Sequence, residues 1–267
     1  MKHIEIRLLS SLAEFTACMQ LQQAIWGSFS TVPDHLLLTF QRNGGIVLGA
    51  FDVAQPAQPI VGFVFGFMGR THDGQLKHAS HMAAVHPAYR DSGLGAKLKW
   101  AQREQVLAQG ITLMTWTFDP LLSRNAYLNI ARLGATSRTY IRNIYGPEPE
   151  DPQGELPTDR FWVDWWLNDE RVVARSNGSA HLPSAAELRT CGPLLNPDAH
   201  TAPAAPHGAA CLIQIPSDIA ALKEQDMARA RAWRYQVRAL AEQAFAQGYH
   251  VSAFARDGDV GLFLLTH

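Results

Sequence analysis

Cysteine is scarce in this chain. There are three in 267 residues, Cys18, Cys191 and Cys211, odd in number and widely spaced. That pattern excludes a disulfide framework and predicts a reducing, cytoplasmic setting. Excess charge is lacking too: 23 basic residues face 24 acidic ones, for a formal net charge of −1. Such a balance gives no electrostatic basis for binding nucleic acid. No apolar run is long enough to span a membrane, and the opening MKHIEIRLLSSLAEF has no signal-peptide core. Neither a membrane nor a nucleic-acid partner is therefore expected. What the chain does have is 47% hydrophobic residues, enough for a packed core in one large or two modest domains.

The most informative stretch runs from Lys77 to Gly110. Met82-Ala83-Ala84-Val85 reads as a strand interior, and His86-Pro87 stops it, because proline removes a ladder donor and restricts the residue before it. Arg90-Asp91-Ser92-Gly93-Leu94-Gly95-Ala96 then enters a helix. Two glycines two apart let the backbone turn tightly with its N–H groups outward. A helix N-terminus of this kind holds phosphate through unpaired amides and the positive end of the dipole. Leu94, Leu98, Ala101 and Ala108 predict the buried stripe of that helix, and Gly110 its stop. The spacing does not fit a Walker A loop and lacks the third glycine of the dinucleotide fingerprint.

The string Val85-His86-Pro87-x-Tyr89-Arg90-x-x-Gly93-x-Gly95-Ala96 resembles the acyl-CoA-binding motif of the GNAT superfamily of N-acetyltransferases. Strand, two helices, three strands, helix, strand, helix, strand over residues 1 to about 145 resembles that family's order as well. The implied fold class is α/β (α+β): a mixed, mostly antiparallel central sheet flanked by helices. Residues 1–168 are expected to form the acyl-CoA-binding domain. A Pro-rich acidic loop around 146–157 precedes the aromatic strand FWVDWWL, 161–167, which could complete the first sheet. Residues 169–208 read as an irregular connection, and 209–267 as a strand–helix–hairpin subdomain. Its helix is expected to run unbroken from a Ser217 cap to Gly248.

The resemblance implies acetyl-CoA, or another acyl-CoA such as succinyl-CoA, as cosubstrate. No metal is expected from His72, His78, His81 and His86: strand alternation separates His78 from His81, and no cysteine is near. Pyrophosphate would rest on Arg90, Asp91, Ser92, Gly93, Leu94, Gly95 and Ala96. The thioester carbonyl would meet the backbone of Ala83 and Val85. Asn125, nine residues before Gly134, resembles the residue that opens the family's next helix. Where the family often carries a tyrosine acid toward the leaving thiolate, this chain has Ile130, and Tyr127 is the nearest substitute. His81 would relay the amine proton, since the segment His81-x-x-Ala84-Val85-His86 resembles that of aralkylamine N-acetyltransferases. A histidine suits the task through its pKa of about 6.5. Strand alternation puts His81, Ala83 and Val85 on one face. Trp26, Phe29 and Trp116 are candidates for the acceptor pocket, which would take a small amine or amino acid. A homodimer is compatible with all of this. The alternative is a sensor or interaction module that binds CoA without turnover.

Overall fold

The computed structural model describes residues 3–27, 31–146 and 156–267. The chain divides into two compact units: Met1–Trp116 with Trp166–Asn168, and Thr117–Trp165 with Asp169–His267.

The first unit opens with β1 (Ile4–Leu8), α1 (Leu12–Trp26), α2 (Asp34–Arg42), β2 (Ile46–Asp52), β3 (Ile60–Arg70) and β4 (Leu76–Val85). A 3₁₀ turn, Pro87–Tyr89, then leads to α3 (Leu94–Ala108) and to β5 (Leu113–Phe118). Strands β1 to β4 are antiparallel neighbours in sequence order, and β5 runs parallel to β4. Ser11 caps α1, accepting from the Glu14 amide, while Glu14 reaches back to the Ser10 amide and to Arg7. Such a cap stabilises a helix by about 1 kcal/mol. Pro33 precedes α2 as expected.

One face of this sheet buries Val47, Phe51, Phe63 and Phe65 against Phe15, Cys18 and Leu21 of α1 and Leu37 of α2. Each ring there removes apolar area from water at about 25 cal/mol per Å². The opposite face receives α3. Gly62 lies under it, and a Cβ added there would sit 3.2 Å from a Leu98 methyl. The buried residues of α3 are Leu94, Ala96, Leu98, Lys99, Gln102 and Val106. Two of these are polar, a departure from the apolar stripe expected; Ala101 is only half-buried.

The second unit carries α4 (Ser123–Ala126), which widens into one π-helical stretch (Tyr127–Arg132), then β6 (Thr136–Ile141) and β7 (Arg160–Trp166). After these come α5 (Glu170–Ser176), α6 (Ala185–Arg189), β8 (Ala210–Pro216), α7 (Ile219–Gln225), α8 (Met227–Ala246), β9 (His250–Asp257) and β10 (Val260–Thr266). Its strand order is β7-β6-β9-β10-β8, antiparallel throughout. The expected closing hairpin is β9–β10. The expected long helix is two: Asp218, not Ser217, caps α7, and Asp226 both ends α7 and caps α8. Residues 171–208 hold two short helices rather than none, the second opened by a reciprocal Ser184–Glu187 capping box. Buried and half-buried arginines tie this unit together: Arg238 pairs with Asp159, Arg234 with Asp119, and the half-buried Arg171 with the carbonyls of Gly134, Ala135 and Ser252.

The architecture is a mixed α/β fold with mostly antiparallel strands and flanking helices. Gly66 of β3 shows how tightly the first sheet is built. A Cβ there would lie 2.3 Å from His78 Nε2 and 2.6 Å from the Ala79 carbonyl oxygen. Gly66→Ala should therefore destabilise the protein by about 1–3 kcal/mol in denaturant titration; an unchanged midpoint would mean that His78 lies elsewhere.

Candidate functional site

Strand β4 departs from regular pairing. Its ladder with β3 shifts between Phe65–Met82 and Gly66–Ser80, so His81 is an extra, bulged residue. Bulges re-aim side chains. The expected alternation of His81 with Ala83 and Val85 is broken here. The His81 ring turns to the α1/α2 face instead, 5.7 Å edge-on from Phe65 and 6.4 Å from Phe67. Met82 and Ala84 pack toward the same core. Partial burial lowers the His81 pKa below 6.5, although the residue remains exposed.

The edge of β4 is equally distinctive. Its parallel ladder with β5 is confined to His78–Met114 and Ala79–Thr115. On the other side, the His86 amide donates to the Val61 carbonyl at 2.9 Å. Antiparallel pairs alternate between bonded and non-bonded. Met82 and Ala84 therefore bond to β3, and the N–H groups of Ala83 and Val85 point away from it. No ladder partner meets those two amides among the described residues.

Directly after β4 the chain makes the predicted turn. Asp91 (φ 60°) and Gly93 (φ 76°) adopt left-handed conformations, and no side chain caps α3. Its first-turn amides, at Leu94, Gly95 and Ala96, thus form an uncapped helix N-terminus. Nothing lies within 4 Å of a Cβ built on Gly93, so glycine is needed there for the backbone angle and not for space. Ser92 is turned inward, its hydroxyl donating to the Tyr89 carbonyl at 2.6 Å. Arg90 Nε donates to the Val85 carbonyl at 3.3 Å, which locks the loop onto the strand end. A second tie comes from the Tyr89 hydroxyl, which donates to Asp52 at 2.6 Å, with Gln55 joining both. That bond raises the tyrosine pKa. His86 Nδ1 accepts from the Ala88 amide at 3.2 Å, capping the 3₁₀ turn.

Beneath β4, on the α3 face, lies a buried polar cluster that sequence reading missed. Lys99 Nζ donates to Ser80 Oγ at 2.8 Å and to Gln102 Oε1 at 3.1 Å. It sits 3.8 Å from the centre of the Trp116 ring. The Gln102 amide nitrogen lies 3.2 Å from His78 Nε2. Because the Gln102 oxygen already accepts from Ser80 and Lys99, its nitrogen donates, so Nε2 of His78 is the acceptor. The visible signal was the i, i+3 pair Lys99–Gln102 set between Leu98 and Val106 on the helix.

The other expected residues fall as follows. Trp26 ends α1 with its ring edge-on to Phe63 at 6.0 Å and is 41% exposed. Phe40 of α2 stacks on Phe67 at 5.2 Å, so the 31–40 segment reaches the rings around His81. Trp116 gives its ring face to Lys99. Phe29 lies outside the described residues. Asn125 is half-buried in α4 of the second unit. Tyr127 begins the π-helical stretch there, with the Arg256 guanidinium 5.1 Å from its ring centre. Ile130 is fully buried. Ser123 does not cap α4; its hydroxyl is buried without a partner, and Leu122 occupies the cap position. Among the described residues, no group of three His, Cys, Asp or Glu is placed to hold a metal ion.

The element order β1-α1-α2-β2-β3-β4-α3-β5 is the one the sequence reading expects; the bulge in β4 is not. The arrangement is similar in part to that of several solved acetyltransferases. Solved structures with this likeness include an acetyltransferase of the GNAT family from Streptococcus pneumoniae, at 15% identity and a TM-score of 0.49 over 61% of this chain and 98% of that one. Another is NAA60 of Arabidopsis thaliana in complex with acetyl-CoA, at 13% identity and 0.49, over 61% and 99%. A third is an aminoglycoside acetyltransferase from an uncultured soil metagenomic sample, at 20% identity and 0.38, over 44% and 78%. No family model matches the chain, and no curated protein does.

His78 gives this region a pH signature. Burial pushes its pKa down to about 3, from 6.5. The unfolded chain takes up this proton as pH falls through 6.5, while the folded protein resists. The stability tied to a neutral His78 is thus fully present above the unfolded value and lost on the way to the folded one. Denaturation midpoints measured from pH 7 to pH 4 should fall less steeply in His78→Gln than in wild type; equal slopes would place the titration on other groups.

Proposed function

We propose that the protein is an acyl-CoA-dependent N-acyltransferase, acetyl-CoA being the first donor to test and succinyl-CoA the second. The acceptor is a primary amine of a small molecule or amino acid. One observation carries this reading. An uncapped α3 N-terminus with a left-handed Gly93 follows a strand whose Ala83 and Val85 amides have no ladder partner among the described residues.

Acyl transfer from a thioester to an amine asks for three things: a proton must leave the amine, charge developing on the carbonyl oxygen must meet donors, and the thiolate must be stabilised. In this proposal the phosphates lie on Arg90–Ala96, where main-chain N–H groups and the helix dipole supply positive potential. The Ala83 and Val85 edge of β4 offers N–H donors to the carbonyl oxygen. His81 takes the amine proton; its lowered pKa keeps the imidazole neutral, and so basic, at neutral pH. The amine attacks the carbonyl carbon, the C–S bond breaks, and the proton passes to His81 while the thiolate leaves. Tyr127 is assigned as the proton donor to that thiolate and Asn125 as a contact to CoA, both from the motif alone. Trp26 and Phe29, with Phe40 and Phe67 near His81, suit an acceptor with an apolar part; Trp116, whose ring meets Lys99, is kept as a candidate from the sequence reading alone.

Two outcomes test the roles. Gly93→Ala must place an alanine at positive φ, which costs about 1–2 kcal/mol. Calorimetry should show weaker acetyl-CoA binding in a mutant that still folds, and unchanged affinity would remove the loop from the site. His81→Ala should lower the rate of transfer by about a hundred-fold or more while acetyl-CoA affinity holds. Wild-type activity should decline as pH falls through a value below 6.5, and the mutant should lack that limb. A mutant that binds acetyl-CoA and keeps full rate would make His81 packing only. Wild type that binds CoA but releases no thiol from any acyl-CoA tried, against amines and amino acids, would favour the sensor reading.

A further inference from the structure

The Lys99 cluster is larger than packing of α3 on the sheet requires. An ammonium in an apolar helix–sheet interface is costly to bury. It occupies one particular place. The ladder between β4 and β5 ends at Ala79–Thr115, and the next residues on the two strands are Ser80 and Trp116. Lys99 Nζ touches both: it donates to the Ser80 hydroxyl at 2.8 Å and lies 3.8 Å from the Trp116 ring centre. Gln102, one turn along α3, braces the ammonium and the serine together and secures His78, which still pairs with Met114. A single cation thus sits at the vertex where two parallel strands cease to pair.

We infer that Lys99 is a positioning residue that ends the β4–β5 ladder at Ala79–Thr115 and thereby keeps the Ala83 and Val85 amides available to a thioester carbonyl. The second half of this statement rests on the proposed acyl-CoA chemistry; the first half does not. Its physical basis is that a desolvated ammonium gains from the π face of tryptophan and from the Ser80 oxygen as well. Both contacts hold residues 80 and 116 on the cation instead of on each other.

The groups facing Lys99 include His78 and Ser80 from β4, Gln102 from α3 and Trp116 from β5. Arg103, the next basic residue of α3, turns to the Leu167 carbonyl at 2.7 Å. Of these, His78 is held neutral by burial, so the ammonium is the charge that varies near neutrality. Burial lowers its pKa to about 7. It keeps its proton below that value and loses it above.

The test begins without any ligand. Amide hydrogen exchange is measured at Ala83 and Val85 in wild type, Lys99→Met and Lys99→Arg. Loss of the cation should let the ladder extend, so protection at these two amides should rise about tenfold in Lys99→Met. Lys99→Arg, which keeps a charge that stacks on Trp116, should resemble wild type. Unchanged protection in Lys99→Met overturns the inference, whatever the ligand proves to be. If Lys99→Met does not fold, Trp116→Leu removes the ring face and is read in the same way. The second arm is calorimetry with acetyl-CoA. Affinity should fall about tenfold in Lys99→Met. In wild type it should weaken as pH rises from 6 to 8, and in Lys99→Arg that dependence should be absent. Identical pH profiles in wild type and Lys99→Arg would overturn the link to binding. Wild type that binds no acetyl-CoA would overturn the functional reading, and the exchange result would then decide the strand vertex by itself.

Discussion

Everything proposed for this protein depends on a failure of backbone pairing. Strand β4 bonds fully to β3, yet its ladder with β5 covers two residue pairs. A buried N–H that lacks a partner is costly, so such an edge is retained only where something else accepts from it or water reaches it. Ala83 is exposed and Val85 half-buried, so the edge that carries their amides is open to water. The turn that follows repeats the theme, because α3 begins without a side-chain cap. Two sets of main-chain donors, one on a strand and one at a helix start, are thereby brought within a single strand–turn–helix unit. The side chains around them mostly fix geometry. Arg90 closes onto Val85, Tyr89 onto Asp52, and Ser92 onto Tyr89.

Burial of charge is handled differently in the two units. The second unit matches arginines with carboxylates or carbonyls at short range: Asp159 is bonded by Arg238, by the Tyr140 hydroxyl and by the Asn143 amide. Despite its burial, the pKa of that carboxyl is held below its ordinary value by those partners. In the first unit, burial lowers both Lys99 and His78, so desolvation outweighs the polar contacts around them. The first pattern is what a structural brace needs. The second holds His78 neutral and leaves Lys99 with a protonation that responds to modest changes of environment near neutrality.

How much could be read from the chain alone follows from which interactions are local. Pro87, Gly93 and Gly110 each impose a backbone demand at their own position. The strand, turn and helix they punctuate stand where the sequence put them, with Gly93 and Gly110 both at positive φ. The closing hairpin was legible for the same reason. The bulge at His81 was not. It is a property of β3 and β4 together, and simple alternation therefore put His81 on the wrong face relative to Ala83 and Val85. Lys99 was passed over because a lysine is read as solvated unless its helix face is known to be covered. Helices α5 and α6 are too short for a 3.6-residue period to show, though Ser184 and Glu187 stood at capping-box spacing. The break between α7 and α8 turns on Asp226, whose extended backbone interrupts an otherwise continuous apolar stripe. Nothing in the segment around Tyr127 announces its wider helical turn.

The bulge also fixes a length. A strand presents alternate residues to opposite sides, so an inserted or deleted residue exchanges the two sides for everything beyond it. In β4 that exchange already happens once, at His81. The five residues from His81 to Val85 therefore carry a counting constraint that composition does not express. Side chains at Met82 and Ala84 could be traded for others of similar volume. Adding or removing one residue there would turn the Ala83 and Val85 amides toward β3 and move His81 relative to Phe65. Among proteins built on the same plan, variation in this segment should run through substitution, and changes of length should gather in the turns on either side, at 71–75 and beyond His86.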